Sequence, residues 1–164
     1  METTQNRFSK TVSKIEKTAG PLGQKVVSFA IGRAIRFAGT AGLRVEELSP
    51  NKAVASIANR KRVQNHIGGV HAAAMVLVAE NTTGLVVGMN VPDTAVPVVK
   101  SLKVDFVKRA TGSLRAEATL TDEQCERIRT EPKGDVTVNV RVTDEAGVEP
   151  IQCEIIWAWT PKRR

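Results

Sequence analysis

Between Arg60 and Glu80 the chain gathers, in one continuous stretch, the residues best able to do chemistry. Arg60 and Arg62 come first, then Asn65, His66, the pair Gly68-Gly69, and His71. From Val70 to Ala79 the only polar side chain is His71, and one carboxylate, Glu80, ends the run. A helix that is apolar all round belongs in a core. Ionisable groups at its two ends then need partners or a task, because unpaired burial of charge is expensive. A glycine pair entering such a helix also leaves its first backbone N–H groups free to receive an anion or an oxyanion. Oxyanion donors at one end and a carboxylate at the other make this stretch the expected functional site.

The spacing carries a further consequence. His71 and Glu80 stand nine residues apart, which on a helix separates their backbones by roughly 13 Å. They cannot readily act on one carbonyl within one chain. They can act together if a two-fold axis brings the start of one helix near the far end of its partner's, giving an isologous dimer with two composite sites. Each residue also has a plainer reading: His71 as a satisfied core or interface histidine, Asn65 as a loop residue or helix-entry cap, and Glu80 as a solvated helix-end carboxylate. Their common register argues for function.

The elements that must position these residues follow from periodicity. Phe8, Val12, Ile15 and Ala19 share one helical face, stopped by Gly20-Pro21. A second helical pattern puts Val26, Val27, Ala30, Ile31, Ala34, Ile35 and Ala38 on one side and ends at Gly39 and Gly42. Leu43–Leu48 and Lys52–Ala58 then read as strands joined by a turn at Ser49-Pro50-Asn51. The buried helix is expected over roughly Gly69 to Thr83, followed by a short apolar strand from Leu85 to Asn90. In the strand Val98–Lys108, Leu102, Val104 and Phe106 should face one way, opposite Ser101, Lys103 and Asp105. Alternation marks further strands at Leu114–Leu120, Val136–Val142 and Ile151–Trp157, with Thr121–Lys133 as a loop or short surface helix. This order predicts an α+β fold: an antiparallel sheet in meander-like succession, curled around one central apolar helix. Residues 1–42 form an N-terminal helical extension and 43–160 the main domain, a single domain overall.

A chain of 164 residues can bury a sizeable core without staples. Cys125 and Cys153 offer neither a disulfide framework nor metal-ligand spacing, and Cys153 falls in an apolar strand pattern as a small core residue. No metal or cofactor is implied. The first residues lack the apolar segment of a signal peptide, and no run is long enough to span a membrane. A reduced cytoplasmic protein is therefore expected. The net charge of +7 is compatible with nucleic acid, anionic lipid or a small phosphorylated ligand. With no tyrosine and few other aromatics, the chain lacks the stacking platforms of a nucleic-acid binder. Its basic clusters are Arg60-Lys61-Arg62, Lys108-Arg109 and the tail Lys162-Arg163-Arg164.

Position by position, Asn65, Gly68, His71, Ala72-Ala73 and Glu80 resemble the motif of the hotdog-fold acyl-CoA thioesterases, in particular the small single-domain phenylacetyl-CoA-type group. The resemblance covers Leu43 to Trp159 in element order, and the residue match lies within Asn65–Gly84. Three departures stand out: Glu80 where this group often has Asp, Ala72-Ala73 in place of Gly-Gly, and Val98-Val99 where some relatives have Ser or Thr. The resemblance implies an acyl-CoA substrate, a homodimer or homotetramer with the substrate at the interface, and no cofactor. Its catalytic residues would be Glu80, Asn65, His71 and the backbone of Ala72. Gly68, Gly69, Arg60, Arg62, Lys108 and Arg109 would bind substrate, the basic groups along the CoA phosphates. Two other activities suit the same fold. A dehydratase would pair His66 with Glu80, fourteen positions on, although the proline-rich loop of that motif is missing. A non-catalytic acyl-CoA or lipid-binding module is the other.

Overall fold

A computed structural model describes residues 6–162. The first five residues and Arg163-Arg164, part of the basic tail noted above, lie outside the described residues. Six strands form one antiparallel sheet: β1 (Arg44–Leu48), β2 (Lys52–Ile57), β3 (Ala95–Phe106), β4 (Leu114–Thr119), β5 (Gly134–Asp144) and β6 (Ile151–Pro161). The helices are α1 (Arg7–Ala19), α2 (Gly23–Ala34), α3 (Arg36–Ala41), α4 (Ala72–Gly88) and α5 (Asp122–Thr130). The sheet packs around α4, whose Val78, Ala79, Val86 and Val87 are sealed from solvent in one core with Ala53, Ala55, Ala116 and Ala118. This is the sheet-around-helix arrangement that the hotdog resemblance implies.

Helix α4 runs longer than its pattern suggested. Leu85 to Gly88, expected as strand, continues the helix, and all of Leu85, Val86 and Val87 are buried. A short β-branched run reads alike in a buried strand or a buried helix, and here tertiary burial decides. Gly84 is no breaker but a packing device, since a β-carbon there would come 2.7 Å from the Trp157 ring. The indole lies on that glycine and donates Nε1–H to Thr83 Oγ1 at 2.8 Å.

The second predicted helix is two. The backbone leaves helical geometry at Ile35 (φ −107°, ψ 86°), and α3 folds back so that Gly39 meets Gly32. A β-carbon on Gly39 would overlap the Gly32 carbonyl oxygen, so the absence of side chains at both positions permits the crossing. The break divides the expected apolar face. Val27, Ile31 and Ala38 are buried, whereas Val26, Ala30, Ala34 and Ile35 face solvent.

The strand order is β1-β2-β4-β5-β6-β3, so the succession is not a simple meander. Strand β3 crosses to the far edge and pairs with β6, in the register Leu102↔Ile155, Val104↔Cys153 and Phe106↔Ile151. Paired residues share a face, so Leu102, Val104 and Phe106 do point together toward the helix side. Yet Leu102 and Phe106 remain 37% and 54% exposed, on an edge strand that α4 touches less than it does β2 and β4. The charged segment after β4 forms α5, started by a capping box between Thr121 and Gln124.

Candidate functional site

The loop before α4 is organised by Asn65. Its Oδ1 accepts the N–H groups of Ile67 and Gly69, both at 3.1 Å, while its backbone exchanges bonds with Gly68 and Gly69. Asn65 thus shapes the turn that delivers the chain to the helix, with its amide NH₂ left over. Gly68 takes φ +79° there, a left-handed conformation that glycine adopts without strain. His66 and Ile67 are exposed on the same turn.

His71 is the N-cap of α4. Its Nδ1 accepts the Ala73 N–H at 3.0 Å, and its carbonyl accepts from Ala74 and Met75. The neighbouring Ala72 N–H, first in the helix, finds no acceptor among the described residues. It is therefore a free donor at the positive end of a buried helix. His71 also lines a recess of about 180 Å³ with Phe37, Arg62 and Leu77.

Glu80 lies elsewhere. It is half-buried on α4 and lines a different, larger cleft of about 410 Å³, walled by Phe8, Ile35, Leu85 and Trp157. One carboxylate oxygen accepts from Asn81 Nδ2 at 2.8 Å, and no cation pairs with it among the described residues. Burial pushes its carboxyl above the usual range, because desolvation disfavours the charged form. The structure thus separates the expected catalytic residues into two places on one chain: Asn65, His71 and Ala72 at the head of α4, and Glu80 more than two turns along.

Of the basic candidates, Arg60 and Arg62 lie on the loop that leads to the helix, and Lys108 and Arg109 follow β3. Arg60 lines a recess with Arg33 and Arg44, and Arg62 lines the His71 recess. Asn59 N–H donates to Ser113 Oγ at 3.3 Å, which joins their loop to the one that follows Lys108 and Arg109. All four side chains are exposed. Among the described residues no group of three or more side chains is arranged to hold a metal ion, and no helix is long and apolar enough to cross a membrane. Cys153, with its thiol pushed up to about 11 by burial, is a poor nucleophile.

Sequence reasoning did not find the walls of the Glu80 cleft. Phe8 and Asn6 come from α1, across more than 70 residues of chain. Asn6 Oδ1 caps α1 through the Ser9 N–H, and its Nδ2 donates to Gly88 O at 2.8 Å and Val91 O at 2.6 Å. That one side chain fastens α1 over the end of α4. An Asn followed by a helical pattern was the available signal, but it marks a cap and says nothing of what the helix covers.

The model of a family described as a domain of unknown function, DUF4442, matches residues 23–159, and the chain belongs to that family. No curated protein matches the sequence. Among solved structures, PA5026 of Pseudomonas aeruginosa, a protein of unknown function, is 24% identical, with a TM-score of 0.75 over 84% of this chain and 95% of that one. The thioesterase HI1161 of Haemophilus influenzae is 12% identical, with a TM-score of 0.63 over 76% and 82%. The thioesterase SAV0944 of Staphylococcus aureus, solved with either a glutamate or a glutamine replaced by alanine, is 13% identical, with a TM-score of 0.65 over 77% and 99%. These likenesses establish the hotdog fold.

Proposed function

We propose that this protein hydrolyses acyl-CoA thioesters at sites shared between two copies of the chain. The observation that carries the reading is Glu80: a half-buried carboxylate with no cation paired to it among the described residues, set in a largely apolar cleft. Such a group is held away from water at a cost and is suited to act as a base or nucleophile near neutral pH. The acyl group would occupy the cleft beside Phe8 and Trp157. The free Ala72 N–H of the partner would polarise the carbonyl, and Asn65 and His71 would hold that donor in place through the loop and the cap. Glu80 either attacks the carbonyl carbon or takes a proton from the attacking water. In the base route the water oxygen bonds to the carbonyl carbon, the C–S bond breaks, and the proton taken up by Glu80 passes to the sulfur, so CoA leaves as its thiol beside the free acid. In the nucleophilic route loss of the CoA thiolate, protonated from water, leaves an acyl–Glu80 anhydride that a second water hydrolyses to the acid. Arg60, Arg62, Lys108 and Arg109 would receive the CoA phosphates.

A second copy is needed because the head of α4 and Glu80 cannot meet in one chain. Strand β3 offers the surface for it: twelve residues long, at the edge of the sheet, with Val99, Leu102 and Phe106 exposed. A long edge strand with an uncovered apolar face invites pairing with another chain. In SAV0944 the replaced glutamine and glutamate stand fifteen positions apart, the same separation as Asn65 and Glu80 here, which supports giving these two positions a shared role. The test is thiol release from acyl-CoA esters of short, medium, long and aryl chains. Wild type should turn over at least one class. Glu80→Gln should lower the rate by ~10² to 10⁴ while keeping the fold, and near wild-type release by that variant would refute the assignment.

A further inference from the structure

The charge of this protein is unevenly distributed. Residues 43–162 contain fifteen basic and fifteen acidic side chains, so the sheet and its central helix are neutral. Residues 6–42 contain seven basic side chains and one acid, Glu16. Nearly all of the net charge therefore sits on α1–α3. The body also neutralises its cations locally, through pairs such as Lys52–Glu47, Arg115–Glu46 and Arg141–Glu149. In the extension only Arg7 meets a carboxylate, Asp93, at 3.8 Å, and Lys10, Lys14, Lys17, Lys25, Arg33 and Arg36 pair with none among the described residues.

The arrangement of these charges is orderly. Arg7, Lys10, Lys14 and Lys17 recur at helical spacing and all face solvent, opposite the buried Val12. They form one basic stripe along α1. Helix α2 is apolar on two faces. Val27 and Ile31 pack inward, whereas Val26 and Phe29, with Leu22 just before the helix, point out and are flanked by Lys25 and Arg33. Phe29 is 67% exposed, and the Arg33 guanidinium lies 6.0 Å from its ring centre. Arg36 and the 63% exposed Phe37 extend the pattern into α3.

We propose that the helical extension α1–α3 docks this protein on an anionic lipid surface, its exposed Leu22, Val26 and Phe29 entering the interface among the surrounding cations. Large exposed apolar side chains flanked by unpaired cations, here Lys25 and Arg33, are the features of an interfacial helix. A second copy of the chain is the wrong occupant, because a two-fold contact would set two strongly positive surfaces together. A nucleic acid fits poorly as well, because the ledge is mostly aliphatic and offers little for bases to stack on. This inference is independent of the hydrolytic reading.

The test is co-flotation of the full chain with phosphatidylcholine vesicles, with and without phosphatidylserine. The protein should float with the anionic vesicles at low salt, be released as salt rises, and stay behind with the neutral ones. The triple variant Lys10→Gln, Lys14→Gln, Lys17→Gln should weaken partitioning about five-fold per charge. Phe29→Ser should weaken it about ten-fold or more. Both sets of residues are exposed, so melting temperatures should be unchanged. Equal binding to neutral vesicles, no binding at low salt, or undiminished binding by Phe29→Ser would overturn the proposal. So would a change of oligomeric state on Phe29→Ser, or stronger binding to RNA or polyglutamate than to the vesicles.

Discussion

If the site is shared between subunits, two inactive proteins should restore each other. The first is Glu80→Gln, which removes the carboxylate. The second is Ala72→Pro, which removes the N–H at the start of α4 that finds no acceptor among the described residues, and little else. Ala72 is the first helical residue, where proline is best tolerated, and His71 before it already has φ −64° and ψ 144°, the extended conformation a following proline requires. Ala72→Pro should therefore fold and melt like wild type while losing ~10² to 10³ in turnover, the usual cost of one oxyanion donor. The geometry then decides the outcome of mixing. Ala72 and Glu80 are eight residues apart, or roughly 12 Å along the axis, and helical N–H groups point toward the N-terminus, away from Glu80. No thioester can touch both within one chain. In a mixed dimer, one site combines the intact Glu80 of one chain with the intact Ala72 of the other, and the second site carries both defects. After random exchange of subunits, half the dimers are mixed and each has one working site, so activity should recover to about a quarter of wild type. Thiol release after co-refolding of equal amounts reads this directly. Activity that stays at the level of the two parents would show that each site lies within one chain, and the shared-site reasoning would fall.

Three further outcomes follow from the same structure. Because burial raises the Glu80 carboxyl, the acidic limb of kcat/KM should lie above that of an ordinary glutamate. The ionised form is the destabilised one, so Glu80 contributes stability below its raised pKa that is lost as pH rises through it. Glu80→Gln should then melt at or above wild type at neutral pH, the difference closing in acid, and a variant that melts well below wild type at neutral pH contradicts this. Asn6→Ala removes the α1 cap and two bonds to the end of α4; a loss of about 2 kcal/mol is expected, read by denaturant titration, with α1 fraying first in hydrogen exchange. Arg60→Ala and Arg62→Ala should each raise KM for CoA esters about ten-fold with kcat little changed. Truncated N-acetylcysteamine esters should be unaffected, and equal behaviour on both substrates would remove these residues from CoA binding.

Much of the fold was legible because it depends on local periodicity. Alternation in Leu114–Thr119 and in Val136–Val142 needs only one buried face, and both segments are strands. The limits came where local pattern is ambiguous and contacts at a distance decide. Leu85-Val86-Val87 has strand composition, and the helix runs on because burial in the core decides, with the Trp157 indole packed on Gly84. The break at Ile35 depends on two glycines seven residues apart meeting backbone to backbone, which no hydrophobic period records. The placement of β3 beside β6 is likewise a matter of topology. Its inner-facing residues alternate as expected, yet alternation does not reveal which neighbour a strand has, or whether its face is covered.

The site divides in the same way. Asn65, the glycine turn, His71 and Ala72 lie within eight residues of one another, so spacing alone brings them together, but it did not show which residue caps the helix: the start expected at Gly69 falls at Ala72, with His71 as the cap and the glycines in the turn before it. Glu80 could be placed on the helix, and its distance from His71 already argued for a second subunit. Its environment could not be foreseen, because Phe8, Ile35 and Trp157 reach the cleft from three distant parts of the chain. The raised Glu80 carboxyl depends on that burial, and α1 supplies a wall of the cleft through Phe8. An N-terminal helix anchored in part by Asn6 thus bears on the acid–base character of a residue on α4. Loosening α1 should hydrate the cleft and return Glu80 toward an ordinary glutamate. The acidic limb of kcat/KM in Asn6→Ala should therefore shift toward lower pH, a change that a purely structural anchor, remote from the carboxylate, would not produce.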